Sequence, residues 1–177
     1  MSKVRAATVW LDGCSGCHMS FLDLDERLIE IAGSLELVYG PLVDAKEFPS
    51  NVDVALVEGA VGTNEDIERI KKVRERSKIL IAMGDCAVTG NVPAMRNSFP
   101  VAKVLARAYQ ENADLNQQTP TVMLPTLLPR SRPIHEVVPV DIFLAGCPPP
   151  AGLIYDVIKE LLAGRVPDLS IRCRFGA

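Results

Sequence analysis

The sequence has no run of lysines and arginines. Its 19 basic and 22 acidic residues are scattered along the chain and leave a net charge of −3. That argues against nucleic acid as a partner, because phosphate backbones are gripped by basic stripes or patches. No apolar stretch approaches the roughly 20 residues that a membrane-spanning helix needs. The opening Met1-Ser2-Lys3-Val4-Arg5 runs straight into a β-rich segment and lacks the apolar core of a secretory signal. The expectation is a cytoplasmic protein, in a compartment where thiols stay reduced and cysteine clusters bind metals or do redox work. There is no internal repeat and no low-complexity tract. A dinucleotide fingerprint is missing too: Gly59-Ala60-Val61-Gly62 is too short to count as G-x-G-x-x-G. Only one C-x-x-C occurs.

What is present reads as an α/β domain. A chain of 177 residues, 48% of them hydrophobic, can bury one sizeable core, and residues 1–177 are read as a single domain. Short apolar runs at Ala6–Leu11, Leu35–Tyr39, Val52–Val57, Ile79–Met83 and Asp141–Ala145 read as five strands. Nearly continuous apolar runs suit parallel strands covered on both faces. Between them, Phe21, Leu24, Leu28 and Ile31 make a helical stripe over Met19–Ala32, closed by Gly33. Thr63 or Asn64 can cap a second helix, with Glu65 and Asp66 in its first turn and Arg74 and Arg76 in its last. Pro149 and Pro150 introduce a final helix running to about Leu162 and ended by Gly164. Repeated β-α-β predicts a doubly wound parallel sheet with helices on both faces, a three-layer α/β/α sandwich.

One stretch breaks the rhythm. Prolines at 120, 125, 129, 133 and 139 are too many for a helix or a central strand. It reads as a long surface loop or as an extended arm that docks on another subunit.

Four of the five cysteines follow closely on predicted strands. Cys14 and Cys17 lie just past the first, Cys86 follows the fourth across Gly84-Asp85, and Cys147 follows the fifth across Gly146. In an open parallel sheet ligands gather beyond the carboxyl ends of the strands. Three strand ends would thus deliver four thiolates to one edge, which points to a metal site and to an iron–sulfur cluster first. Cys173 is left over and is read as an idle thiol.

Other chemistries stay open on the residues alone. Cys14-Ser15-Gly16-Cys17-His18 is formally the C-x-x-C-H of c-type haem attachment, with Met19 beside it as a second axial ligand. A C-x-x-C between strand and helix also suits a stand-alone thiol–disulfide oxidoreductase, with Trp10 just upstream. That reading leaves Cys86 and Cys147 without a role. Structural zinc accepts four thiolates but usually takes two short cysteine pairs; here the ligands after Cys17 follow at spacings of 69 and 61 residues. Gly13, Gly16, Gly84 and Gly146 would let backbone amides approach the sulfurs.

The strings L-D-G-C-S-G-C-H (11–18), V-E-G-A (57–60), G-D-C-A (84–87) and A-G-C-P-P (145–149) together resemble the small subunit of [NiFe]-hydrogenases. They are most like the short form found in bidirectional NAD-reducing hydrogenases of bacteria. The resemblance runs over roughly 5–163 and implies a flavodoxin-like fold. It implies that Cys14, Cys17, Cys86 and Cys147 hold a proximal [4Fe–4S] cluster, fed by a Ni–Fe centre on a separate large subunit. The chain itself offers no Ni–Fe ligand set, having no second C-x-x-C, so it is not expected to be catalytic alone. It ends before any further cluster domain, so electrons are expected to leave to diaphorase iron–sulfur and flavin subunits that reduce NAD. Some short small subunits are thought to carry flavin mononucleotide (FMN) as well, though nothing here beyond the fold marks such a site. The related cluster subunit of complex I-like oxidoreductases has adjacent cysteines, whereas Ser15 and Gly16 separate Cys14 from Cys17. Glu58 ends the third strand, and the resemblance suggests an acid near the large-subunit interface that relays protons; an acid bonding backbone amides is the plainer alternative. His18 is read as a surface histidine at a helix start.

Overall fold

The computed structural model describes residues 3–170, 172, 173 and 175. Residues 1 and 2, read above as part of the lead-in to the first strand, lie outside them. In chain order the strands are β1 (Val4–Trp10), β2 (Leu35–Tyr39), β3 (Val52–Glu58), β4 (Val61–Thr63), β5 (Ser77–Met83), β6 (Leu127–Arg132) and β7 (Ile142–Leu144). Five of them form one sheet in the order β2-β1-β3-β5-β7, every pair parallel. The order reverses at β1, as in flavodoxin-like folds.

Period-two alternation builds the two cores. Along β3, Val54 and Leu56 point to one face while Ala55 and Val57 point to the other. Ile81 and Met83 of β5 join the first pair, and Leu80 and Ala82 join the second. The first face is covered by α1 (Gly16–Leu22), α2 (Glu26–Ala32) and, at the far end of the chain, a helix over Ala151–Leu162. The second is covered by α3 (Asn64–Arg76) and α4 (Asp85–Thr89). This is the expected three-layer sandwich.

The single helix expected over 19–32 is two helices. Asp25, at φ 49°, breaks the chain between α1 and α2. Leu24, inside the break, is still buried in the core, so the apolar stripe reads as continuous although the backbone is not.

The cap of α3 is Thr63. Its hydroxyl accepts the Asp66 N–H at 3.1 Å, and the Asp66 carboxylate accepts the N–H groups of Thr63 at 2.9 Å and Gly62 at 3.1 Å. After α4 come α5 (Asn91–Ala94), a 3₁₀ turn (Met95–Ser98), α6 (Val101–Ala106) and a π turn (Arg107–Glu111), none of which the sequence pattern announced. The last helix, α7 (Ala151–Leu162), begins directly after Pro150.

The proline-rich stretch is not wholly a loop or a free arm. Its middle is β6, which pairs antiparallel with β4 in a two-stranded ribbon. Pro129 is tolerated because each strand of such a ribbon has an open edge, where a missing N–H breaks no ladder. The ribbon is fastened to the chain's own 3₁₀ turn, where Asn97 exchanges two bonds of 2.8 Å with the Ser131 backbone. Among the described residues no helix is long and apolar enough to cross a membrane.

Ile154 is fully buried where α7 meets the sheet. Replacing it with alanine should cost about 2–5 kcal/mol through lost transfer energy and the cavity left behind. Denaturant unfolding measures this, and a change well below 1 kcal/mol would show that α7 does not seal this face.

Candidate metal centre

Parallel strands place all their carboxyl ends on one edge, and the four predicted ligands follow three of those ends. Cys14 and Cys17 lie after β1, on the loop into α1 and on its first turn; Cys86 lies in α4, after β5; Cys147 lies in the turn after β7. Cys14 and Cys147 are exposed, while Cys17 and Cys86 are half-buried.

The thiols converge on Cys17. Burial pushes its pKa far up, and the nearby Glu58, Cys86, Cys14 and Cys147 push it further. Cys86 is raised first by burial and then by Cys147, Cys14 and Glu58, while the Val92 backbone N–H lowers it by donating to the sulfur. A thiol that resists ionisation in a group of anions is stabilised as thiolate once a cation sits among them. Among the described residues, no three His, Cys, Asp or Glu side chains stand close enough to share a single metal ion. Four thiolates on one zinc would each lie about 2.3 Å from it.

The surroundings fit sulfur ligands. Gly84 has φ +87°, and a Cβ there would fall 2.2 Å from the Cys17 Sγ, so a side chain at 84 would occupy the sulfur's place. A Cβ on Gly16 would stand 3.3 Å from the Cys14 Sγ. The Asn91 side-chain amide donates to the Cys147 Sγ at 3.5 Å. With the Val92 N–H, two donors from the corner between α4 and α5 thus reach two different sulfurs. Sequence reasoning missed both. The turn residues Gly90 and Asn91, both at positive φ, were the available signal. On the other side, the buried Ser20 hydroxyl donates to the Pro149 carbonyl at 2.5 Å and ties α1 to the proline run after Cys147.

Glu58 ends β3, the strand lying between β1 and β5, and is only 2% exposed. Its Oε2 accepts the His18 backbone N–H at 2.8 Å. The His18 Nδ1 lies 3.0 Å from the same oxygen, at an angle that makes no hydrogen bond. His18 is therefore not the surface residue expected; its side chain is 13% exposed and rests on Glu58. Cys173 is not idle either: its Sγ accepts the Ala145 N–H at 2.7 Å, bracing the strand that leads to Cys147.

A separate cleft of about 460 Å³ opens at the carboxyl ends of β1 and β2, lined by Trp10, Tyr39 and Pro41 among others. Its charged lining is Asp12, Glu65 and Asp66 against Arg69 alone, and Arg69 already donates to the Trp10 carbonyl at 3.2 Å. Nothing in this lining marks an FMN site.

The model of the NADH ubiquinone oxidoreductase, 20 kDa subunit, family matches residues 14–161. The chain belongs to that family. Within it, the chain is 41% identical over 172 residues to the delta subunit of the NAD-reducing hydrogenase HoxS of Cupriavidus necator, covering 94% of this chain and 82% of the relative. It is 39% identical to a subunit of the F420-non-reducing hydrogenase vhu of Methanocaldococcus jannaschii, over 94% of this chain and 58% of that longer relative. The fold matches one chain of an NAD⁺-reducing [NiFe]-hydrogenase crystal structure with a TM-score of 0.94 and 38% identity, covering 99% of this chain and 100% of that one. A [NiFeSe]-hydrogenase chain from Desulfomicrobium baculatum, 18% identical, shares the fold at a TM-score of 0.59. The chain is thus homologous to hydrogenase small subunits and is an oxidoreductase component.

Gly84→Ala places a methyl where the Cys17 sulfur sits, at a positive φ that alanine resists. The variant should bind less than half the iron of the parent while keeping its far-ultraviolet circular dichroism. Parental iron content in a folded Gly84→Ala protein would show that the Cys17 sulfur is free to move.

Proposed function

We propose that the chain is the electron-carrying small subunit of an NAD-reducing type of [NiFe]-hydrogenase, with Cys14, Cys17, Cys86 and Cys147 as ligands of one [4Fe–4S] cluster. The observation that carries this reading is the convergence of four thiols from three strand ends around Cys17. When bound, such a cluster supplies a one-electron relay. Among the described residues no three His, Cys, Asp or Glu side chains stand close enough to share one ion, which supports a cluster held by all four thiols over a single metal.

The chain's own residues do the rest. The four thiols lose their protons on binding, so loading releases protons and is favoured by rising pH. The Val92 N–H and the Asn91 amide donate to sulfur, which stabilises the more negative, reduced state and raises the potential. The exposed Cys14 and Cys147 mark the side from which a partner must close the site to exclude water. We assign that role to a large subunit bearing the Ni–Fe centre, in a cytoplasmic complex. Iron–sulfur and flavin subunits of a diaphorase would carry the electrons to NAD. This chain provides no Ni–Fe ligand set and conducts rather than catalyses. A stand-alone oxidoreductase using Cys14 and Cys17 would leave Cys86 and Cys147 beside them without purpose.

The anaerobically purified full chain should hold about four irons and four sulfides. Serine at Cys14, Cys17, Cys86 or Cys147 should strip or convert the cluster, while Cys173→Ser should leave iron content unchanged. Full iron in Cys147→Ser would remove the core of this reading.

Glu58 is proposed as a proton relay, on the ground that it is a buried carboxylate amid the cluster thiols. Glutamine keeps the oxygen that accepts the His18 N–H. Glu58→Gln should therefore preserve assembly and iron while slowing hydrogen turnover at least several-fold. Unchanged turnover and pH dependence would make Glu58 a structural acid only.

A further inference from the structure

Cys147 stands on a turn after a short edge strand. Its strand, β7, has three residues and lies at the edge of the sheet, with β5 as its one neighbour. The ladder between them ends at the pair Met83 and Leu144. The next regular element after Cys147, α7, begins only at Ala151. The Asn91 amide on the Cys147 Sγ and the Ser20 hydroxyl on the Pro149 carbonyl hold the turn from one side and the other, and its start is held separately.

The pairing in fact continues past the end of the ladder. The Gly84 N–H donates to the Leu144 carbonyl at 2.7 Å, and the Asp85 N–H donates to the Gly146 carbonyl at 2.9 Å. The Gly146 N–H then donates to the Asp85 Oδ1 at 2.7 Å. The first two bonds are made by backbone and tolerate any side chain able to adopt the turn. The third needs an acceptor on the side chain of residue 85. Gly146 sits at φ +140°, and a Cβ there would fall 2.6 Å from the Pro149 Cα, so no other residue fits this turn. Asp85 itself is 5% exposed. A buried carboxylate is unfavourable unless it makes bonds worth more than its desolvation.

We propose that Asp85 is a positioning residue for Cys147, its carboxylate latching the Cys147 turn to the Cys86 turn and so fixing the fourth corner of the cluster. This rests on the ligand assignment made above. Asp85 also stands in the first turn of α4, where an acid favours the helix dipole. The two roles differ in one respect. The latch needs an oxygen at Oδ1, which asparagine retains, whereas the dipole contribution needs the charge, which asparagine lacks.

The test compares the full chain, purified anaerobically, with Asp85→Ala, Asp85→Asn and Cys147→Ser. The readouts are iron per chain and the EPR signal of the oxidised protein. Asp85→Ala is expected to resemble Cys147→Ser, with about one iron fewer per chain and the signal of a three-iron cluster, since three thiolates remain in place. Asp85→Asn is expected to keep the parental iron content and spectrum. If the alanine variant does not fold, Asp85→Ser gives the same readout, because its hydroxyl stops one bond short of Gly146. Four irons in the alanine or serine variant would overturn the latch while leaving the ligand assignment standing. Iron loss in Asp85→Asn equal to that in Asp85→Ala would also overturn it, in favour of the charge. Full iron in Cys147→Ser would overturn the ligand assignment, and the latch with it.

Discussion

Everything at the site depends on one constraint: four thiols must be brought to one edge although they follow strands that are not all neighbours. Parallel pairing meets it, because every carboxyl end then opens on the same edge. The price is that β3 stands between β1 and β5, so the end of β3 lies inside the group of thiols whether or not it supplies a ligand. Residue 58 is therefore neither core nor surface. Its glutamate reaches sideways to the His18 backbone, and in doing so fixes the start of α1, the helix that carries Cys17. The intervening strand becomes a support for the ligand on its neighbour.

A second consequence is electrostatic. Burial beside neighbouring thiols and a carboxylate makes Cys17 and Cys86 harder to ionise. With a cation among them, the same crowding of these two thiols becomes attraction. The donors at Asn91 and Val92 act in the same direction. They come from the corner between two helices of five and four residues, too short to be stable alone. These helices are held by their contacts with the sheet and the β4–β6 ribbon, and they place donors that no longer helix could aim at two sulfurs.

The sheet was legible in the sequence because its signal is local. A short apolar run is nearly enough to specify a buried parallel strand, and β2 falls where the pattern put it, at Leu35–Tyr39. The placement of four cysteines just past strand ends was legible for the same reason, since it could be read relative to those runs. Where the pattern misled, apolar order and backbone order had separated. Leu24 fills the core from within a turn, so 19–32 looked like one helix. Pro129 sits in a strand that no central sheet would accept, and a two-stranded ribbon does accept it. The stretch 85–111 carries short turns of helix whose exposed apolar residues, Val92, Met95 and Phe99, follow no core-facing period. His18 and Cys173 were read as unengaged because their partners, Glu58 and Ala145, are 40 and 28 residues away, a distance over which sequence has no vocabulary.

The division between fold and site explains how far each can vary. The [NiFeSe]-hydrogenase chain keeps the architecture at 18% identity, as expected if the sheet asks only for apolar residues of suitable size at alternating positions. The site asks for more. At Gly84 it asks for the absence of an atom, because the Cys17 sulfur lies where a Cβ would be. At Gly146 it asks for a conformation that other residues resist, and at Asp85 for one oxygen placed to receive one N–H. None of these adds much to the stability of the sandwich, whose cores lie deeper between the layers. They concern the last few residues beyond the strands, where pairing has ended and the chain must still be held to a fraction of an ångström. A cluster ligand is only as fixed as that short unpaired reach. The glycine turns and the single carboxylate beside them extend the order of the sheet out to the sulfurs.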